Sequence, residues 1–223
     1  MNARAIFVVD PGARVPEIDC FNRIAQDSSL PCHYHLPALF GLDSLDDEPQ
    51  HPSGIIILGS GASVYDKLLW QDRLMSWLQP KMESGIPTLG ICYGHQLIAH
   101  IFGSRVTTLY SDSRKLVGHR NVKIGSNKLG LTQKTYHLVV SHREVVNEIP
   151  KGFQAFASSQ EVPLDGFEHL ELPTWTLQPH PEAHDGFLRN QSIKIAEKHK
   201  PEVFASGAEI ISQFLKFCAR QGA

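Results

Sequence analysis

The sequence predicts an α/β fold built on a doubly wound, mostly parallel sheet with an antiparallel extension. Three observations carry this. Short, fully apolar runs such as Ile55-Ile56-Ile57-Leu58 have the pattern of strands buried on both faces, as in a parallel sheet covered by helices. These runs alternate with amphipathic segments through roughly the first hundred residues, the rhythm of βαβ units. From residue 104 the alternation gives way to consecutive strand-like segments joined by turns.

Ile6–Val9 is the first strand, ended by the turn signal Asp10-Pro11-Gly12. Pro16 to Ser28 reads as a helix with Ile18, Phe21, Ile24 and Ala25 on one face. Cys32–Leu36 is a short strand. Residues 41–53, carrying Asp43, Asp46, Asp47 and Glu48, read as a solvated acidic loop, and Ile55–Leu58 is the next strand. Asp66 to Ser84 is a long helix carrying Leu68, Leu69, Leu74, Trp77, Leu78 and Met82; Gly85 stops it, as glycine does after helix C-termini. Thr88–Ile91 is a strand and His95 to Phe102 a helix. Segments 104–110, 115–125, 137–141, 153–158 and 164–178 supply the extension, and helices around 182–189 and 207–220 close the chain. With no repeat, low-complexity tract or linker, residues 1–223 are expected to form one domain.

The chain has 223 residues, 42% of them hydrophobic, which suffices for a sizeable core. A net charge of -2, with no basic or polybasic segment, gives no reason to expect nucleic acid or anionic lipid as a partner. The aliphatic runs are far too short to span a bilayer, and the N-terminus runs directly into a core strand rather than through a leader. A cytoplasmic protein is expected. Cys20, Cys32, Cys92 and Cys218 are scattered, with no CxxC pair, and should be free thiols in a reducing compartment.

Gly90-Ile91-Cys92-Tyr93-Gly94-His95-Gln96 follows a buried strand and opens a helix. The G-x-C-x-G spacing is that of a nucleophile elbow with cysteine in the serine position. A helix N-terminus offers free backbone N–H groups and a positive dipole end, both of which favour thiolate over thiol. The N–H of Tyr93 is placed to donate to an oxyanion. Alone, the motif is equally readable as a buried structural cysteine in a strand-to-helix turn. Gln178-Pro179-His180-Pro181-Glu182 holds its histidine extended, because residues before proline avoid helical conformation. Positions two apart in an extended segment face the same way, so His180 can take a proton from Cys92 while Glu182 orients the imidazole. The combination of cysteine, later histidine and nearby carboxylate makes a candidate triad. Leu58-Gly59-Ser60-Gly61-Ala62-Ser63 lacks the sixth-position glycine of a dinucleotide loop and the Gly-Lys-Ser/Thr of a P-loop; alone it reads as an ordinary strand-to-helix turn, and beside the other two signals it fits a second oxyanion donor better than a phosphate cradle. His33 and His35 share one face of their strand and Cys32 lies on the other, so metal binding is not expected there.

These three stretches, in order and spacing, resemble the marks of class I glutamine amidotransferase domains. The resemblance covers roughly residues 5 to 190. Ser141-His142-Arg143-Glu144-Val145-Val146, followed by Ile149-Pro150-Lys151-Gly152-Phe153 and Ala157-Ser158-Ser159, looks most like the GMP synthase-type members. The resemblance implies a flavodoxin-like sheet and hydrolysis of glutamine to glutamate and ammonia through a γ-glutamyl thioester on Cys92, without cofactor or metal. It implies an oxyanion hole from the N–H groups of Ser60 and Tyr93, and substrate contacts from Gln96, Ser141, His142 and Arg143. The sequence departs from the pattern in three places. The turn reads Leu58-Gly59-Ser60-Gly61 where Ser-Gly-Gly-Pro is usual, Pro179 replaces an aromatic residue, and Ser141-His142-Arg143-Glu144 stands for Ser-His-Gly-Asp. Arg143 in place of glycine reshapes the pocket and leaves the γ-glutamyl substrate open. Three functions stay open: an ammonia-supplying subunit docking on a separate synthetase, a γ-glutamyl peptide hydrolase acting alone, and a non-catalytic regulatory protein of the same fold.

Overall fold

Strand β1 (Arg4–Val9) shows how alternation builds this sheet. Ala5, Phe7 and Val9 enter one apolar cluster, and Ile6 and Val8 enter the other on the opposite face. The structure is a computed structural model, describing residues 4–48 and 50–221. Helix α1 (Ile18–Asp27) leads to β2 (Cys32–His35), the short helices α2 (Pro37–Phe40) and α3 (Asp43–Asp46), and β3 (His51–Ile57). Helix α4 (Leu69–Glu83), β4 (Thr88–Ile91) and α5 (Tyr93–Ile101) complete the first half. Strands β5 (Val106–Thr108), β6 (Leu116–Ile124), β7 (Thr135–His142), β8 (Glu144–Val146), β9 (Phe153–Ser158), β10 (Gly166–His169) and β11 (Thr174–Leu177) follow. Helix α6 (Asp185–Asn190), a 3-10 turn at Glu197–His199 and α7 (Lys200–Arg220) end the chain.

Nine strands form one sheet in the order β2-β1-β3-β4-β11-β10-β9-β6-β7. The first five run parallel, and from β11 onward each neighbour is antiparallel. Leu74, Trp77, Leu78 and Met82 of α4 and Leu97 and Ile98 of α5 cover one face. Ile24 of α1 and Ile210, Phe214 and Leu215 of α7 cover the other. This is the doubly wound, flavodoxin-like arrangement with an antiparallel extension that the sequence predicts.

Several boundaries differ, each for a physical reason. The acidic stretch 41–53 is not all loop, because α3 forms inside it and β3 begins at His51. Segment 104–110 does not join the main sheet, since β5 pairs only with β8 in a separate two-stranded ribbon. Segment 164–178 is a hairpin of β10 and β11 rather than one strand. The final helix begins at Lys200, not 207, because Pro201 sits in its first turn, where proline lacks only a hydrogen bond that no residue there would make.

Candidate active site

Cys92 lies between β4 and α5 with φ 52° and ψ −100°, a left-handed conformation rare outside glycine. Holding it there costs about 1–3 kcal/mol, which the surroundings must over-determine. They do. The Cys92 N–H donates to the Leu177 carbonyl at 2.8 Å, and the Cys92 carbonyl accepts from the Gln96 N–H at 3.0 Å. A Cβ on Gly94 would sit 2.5 Å from the Ile57 carbonyl oxygen, and one on Gly90 2.6 Å from the Gly94 carbonyl, so both glycines are required by close approach. Tyr93 is the first residue of α5, so its N–H has no intrahelical acceptor.

His180 follows β11, the strand beside β4. Its N–H donates to the Val139 carbonyl of β7 at 2.8 Å, an isolated bridge across to the far end of the sheet. The ring rests on Phe187, 4.5 Å between centroids. A carboxylate only accepts, so Nδ1–H donates to Glu182 Oε1 at 2.8 Å and Nε2 faces away from it. His180 and Glu182 are each 4% exposed. Burial alone drives the imidazole toward neutrality. The Glu182 carboxylate and the Cys92 thiol beside it outweigh burial and raise the ring's pKa to about 10. Two more buried acids stand near. Asp10 and Glu17 both have pKa values raised first by burial and also by Glu182.

The turn after β3 closes the site from the side. A Cβ on Gly59 would lie 2.8 Å from His180 Cε1 and 3.6 Å from Cys92 Cβ, so this position touches both residues. Ser60 Oγ donates to the Pro11 carbonyl at 2.8 Å and accepts from the Ala62 N–H at 3.1 Å. The Ser60 N–H makes no hydrogen bond among the described residues. Asp10 fixes the loop that holds Pro11, accepting from the N–H groups of Gly12 and Glu17 and from the Tyr34 hydroxyl.

The fourth wall comes from the end of β7. Gln96 Nε2 donates to the Glu144 carbonyl at 2.9 Å and to Gln178 Oε1 at 3.1 Å, leaving Oε1 as the group it can present. His142 Nδ1 donates to the Glu144 carbonyl at 3.1 Å. Burial, with help from Arg120 and His180, lowers its pKa to about 3, so the ring is neutral and Nε2 is a free acceptor. Among the described residues Ser141 Oγ, His142 Nε2, His180 Nε2 and Glu182 Oε2 are buried without partners, a concentration expected of a ligand site rather than a core. Arg143 is exposed. Leu116 pairs with His142, which brings Lys115 opposite Arg143. Lys115 is half-buried, with Nζ on Gln191 Oε1 at 3.2 Å. Burial lowers its pKa, Cys92 opposes that and Arg143 reinforces it.

The model of the class-I glutamine amidotransferase family matches residues 34–195, well over half of the chain. The chain belongs to the class-I glutamine amidotransferase family. Among curated relatives of this amidotransferase family, a glutamine-hydrolyzing GMP synthase of Clostridium botulinum (strain Loch Maree / Type A3) is 27% identical over 197 residues, covering 87% of this chain and 36% of the relative. The chain thus spans about a third of the length of that relative. A glutamine amidotransferase from Thermotoga maritima superposes with a TM-score of 0.74 at 18% identity, covering 99% of this chain and all of that one. A glutamine amidotransferase from Methylobacillus flagellatus superposes with a TM-score of 0.70 at 17% identity, covering 98% and 95%. These two likenesses establish the fold.

Around Cys92 the structure gathers His180 with Glu182, the turn at Gly59 and Ser60, and Tyr93 and Gln96 of α5; Ser141 and His142 are buried at the end of β7, His142 sharing the Glu144 carbonyl with Gln96, and Arg143 is exposed. Four participants were not singled out from sequence: Gly59 as a contact residue, Val139, Asp10 and Lys115. Gly59 and Asp10 sit in turn motifs whose locations were legible. Val139 and Lys115 depend on strand register and carry no local signal.

Proposed function

We propose that this chain hydrolyses the γ-amide of glutamine, or of a related γ-glutamyl compound, with Cys92 as nucleophile. The observation that carries the reading is the strained cysteine at a helix N-terminus beside a buried histidine that is itself bonded to a buried carboxylate. The Cys92 thiolate attacks the γ-carbonyl carbon, and the resulting oxyanion receives the N–H groups of Ser60 and Tyr93, each such donor being worth about 10²–10³ in rate. His180, kept protonated by Glu182, gives its proton to the departing amine, and ammonia leaves. A γ-glutamyl thioester remains on Cys92. The now neutral His180 takes a proton from water as it attacks the thioester, and glutamate is released. Glu182 holds the imidazole in the Nδ1–H tautomer throughout.

Gln96, Ser141 and His142 are assigned to substrate, with the neutral His142 Nε2 accepting an N–H. Lys115 and Arg143 are assigned to its carboxylate end, a charge-assisted contact worth about 1.5–3 kcal/mol. The ammonia product suits delivery to a separate synthetase. The pair of cations at the rim keeps a second reading in view, a γ-glutamyl peptide hydrolase acting alone, because a dipeptide brings a further carboxylate there. The four cysteines are free thiols, in keeping with work in the cytoplasm. No helix among the described residues is long and apolar enough to cross a membrane. Purified chain is assayed for glutamate release from glutamine and from γ-glutamyl dipeptides. Release from neither, with or without a synthetase partner, would leave a non-catalytic protein of this fold.

A further inference from the structure

On the outer strand β2, three strand spacings from β4 and therefore roughly 14 Å from the Cys92 strand, a second cluster converges. His33 and His35 point to the same face of β2, and Glu48 reaches them from the loop after α3. One donor atom from each lies within 4.8 Å of the other two, the single such grouping among the described residues. The parts are oriented as a coordination site requires. His33 Nδ1 and Glu48 Oε2 are 2.8 Å apart. The other Glu48 oxygen accepts from the Gln50 N–H at 3.1 Å, which aims Oε2 inward. His35 Nδ1 is 3.1 Å from Ser44 Oγ, the outer contact that fixes a ligating imidazole. Its remaining nitrogen, Nε2, has no hydrogen-bond partner among the described residues, although His35 is only 3% exposed. A buried orphan nitrogen is costly unless something fills the role of partner. Phe7 stacks on His33 with centroids 5.6 Å apart and gives the cluster an apolar floor.

We propose that His33, His35 and Glu48 bind one divalent transition-metal ion of the Zn²⁺ class at the β2 edge. Two imidazoles and one carboxylate suit Zn²⁺, Co²⁺ or Ni²⁺ and not Mg²⁺ or Ca²⁺, which take oxygen donors. Zn²⁺ takes donors at about 2.0–2.2 Å in tetrahedral array, so the hydrogen-bonded His33 and Glu48 atoms, 2.8 Å apart, part slightly to admit the ion while the more distant donor closes on it. Binding replaces the His33–Glu48 hydrogen bond with two metal–ligand bonds. The ion would tie the segment following α3 to the edge strand. The sequence hid this because Glu48 belongs to a stretch that reads as solvated acid. The Cys32–His35 run alone shows only two ligands.

The test is calorimetric titration of Zn²⁺ into the full chain carrying Cys92→Ala, so that the elbow thiol cannot compete, with Co²⁺ absorption as a second readout. The expected result is one ion per chain, a Co²⁺ spectrum without thiolate charge-transfer bands, and a metal-dependent rise in Tm. His33→Gln and Glu48→Gln, both at partly exposed positions, should each weaken binding at least tenfold and erase the rise in Tm. Absence of 1:1 uptake, displacement by equimolar Mg²⁺, equal binding by both variants and the parent, or a thiolate-dominated Co²⁺ spectrum would each overturn the proposal. The Co²⁺ spectrum and Mg²⁺ competition need neither variant, so they decide the matter if a variant fails to fold.

Discussion

Adding one methyl group at Gly59 tests the active-site geometry without touching a reacting atom. In Gly59→Ala the new Cβ is 2.8 Å from His180 Cε1, whereas carbon atoms in ordinary contact stand about 3.5–4.0 Å apart. The ring must therefore retreat by roughly 1 Å. It cannot do so freely, because Glu182 holds Nδ1 at 2.8 Å, Val139 holds the main chain at 2.8 Å and Phe187 packs on the ring with centroids 4.5 Å apart. A 1 Å misplacement at a reacting centre costs on the order of 10²-fold. The expected outcome is a kcat for glutamine hydrolysis lower by about 10²-fold, with KM changed far less, since the substrate walls at Gln96 and His142 are untouched. Overpacking should also cost about 1–3 kcal/mol, seen as a Tm lower by several degrees. The assay is steady-state glutamate release with thermal unfolding on the same sample. A kcat within about threefold of the parent would refute the contact between this turn and the histidine, or the histidine's part in the rate.

Cys92→Ala should abolish turnover while the fold persists, and an electrophilic glutamine analogue should label Cys92; peptide mapping that finds the label on Cys20, Cys32 or Cys218 rejects the nucleophile. His180→Ala should cost about 10²–10⁴ in rate and Glu182→Gln less, so near-parental turnover for His180→Ala removes it from the mechanism. Arg143→Gly and Lys115→Met should each raise KM by about 10- to 100-fold with kcat little changed, and constants that do not move would make both surface cations. His180 also links stability to pH. Its pKa in the fold is raised from 6.5 to about 10, so its stabilisation is complete below pH 6.5 and is lost as pH rises through about 10. Urea unfolding from pH 6.5 to 10 should show that loss, and Glu182→Gln should shrink it; equal slopes in the two proteins would contradict it.

What was legible in the sequence divides by range. The strands at Thr88–Ile91 and Phe153–Ser158 have the bounds their apolar runs indicate. The elbow is legible because its requirements are local: two glycines to admit a tight turn, and a helix start after a buried strand. The His180–Glu182 pair is legible because two prolines set the backbone over five residues. Lys115 is invisible until the β6–β7 register brings it opposite Arg143, and Val139 until the sheet curls far enough to bridge to His180. Both are properties of pairing between distant segments, which no local pattern encodes. The early start of α7 is hidden in the sequence for a different reason. Proline and glycine read as breakers, yet Pro201 occupies the one turn that tolerates it, and Gly207 packs against the Pro181 carbonyl, where a Cβ would lie 2.2 Å away.

That last contact shows how the extension and the closing helix take part in the site. The parallel half brings β4 and β11 side by side, so Cys92 and His180 leave adjacent strand ends. Adjacency alone does not orient an imidazole on a segment with two prolines. The orientation comes from elsewhere. Val139 of the last sheet strand accepts the His180 N–H, and α7 presses against Pro181 through the one residue small enough to permit it. The strand that anchors His180 then continues into Ser141, His142 and Arg143, the stretch that departs from the family pattern. Histidine position and pocket wall are therefore carried on one piece of backbone. A change that slides β7 by one residue would exchange its faces and disturb both together. A substitution at residues 141–143 that leaves His180 in place must therefore leave the β6–β7 register intact. A side-chain exchange such as glycine to arginine at the exposed position 143, where the main chain runs on directly into β8, satisfies that constraint.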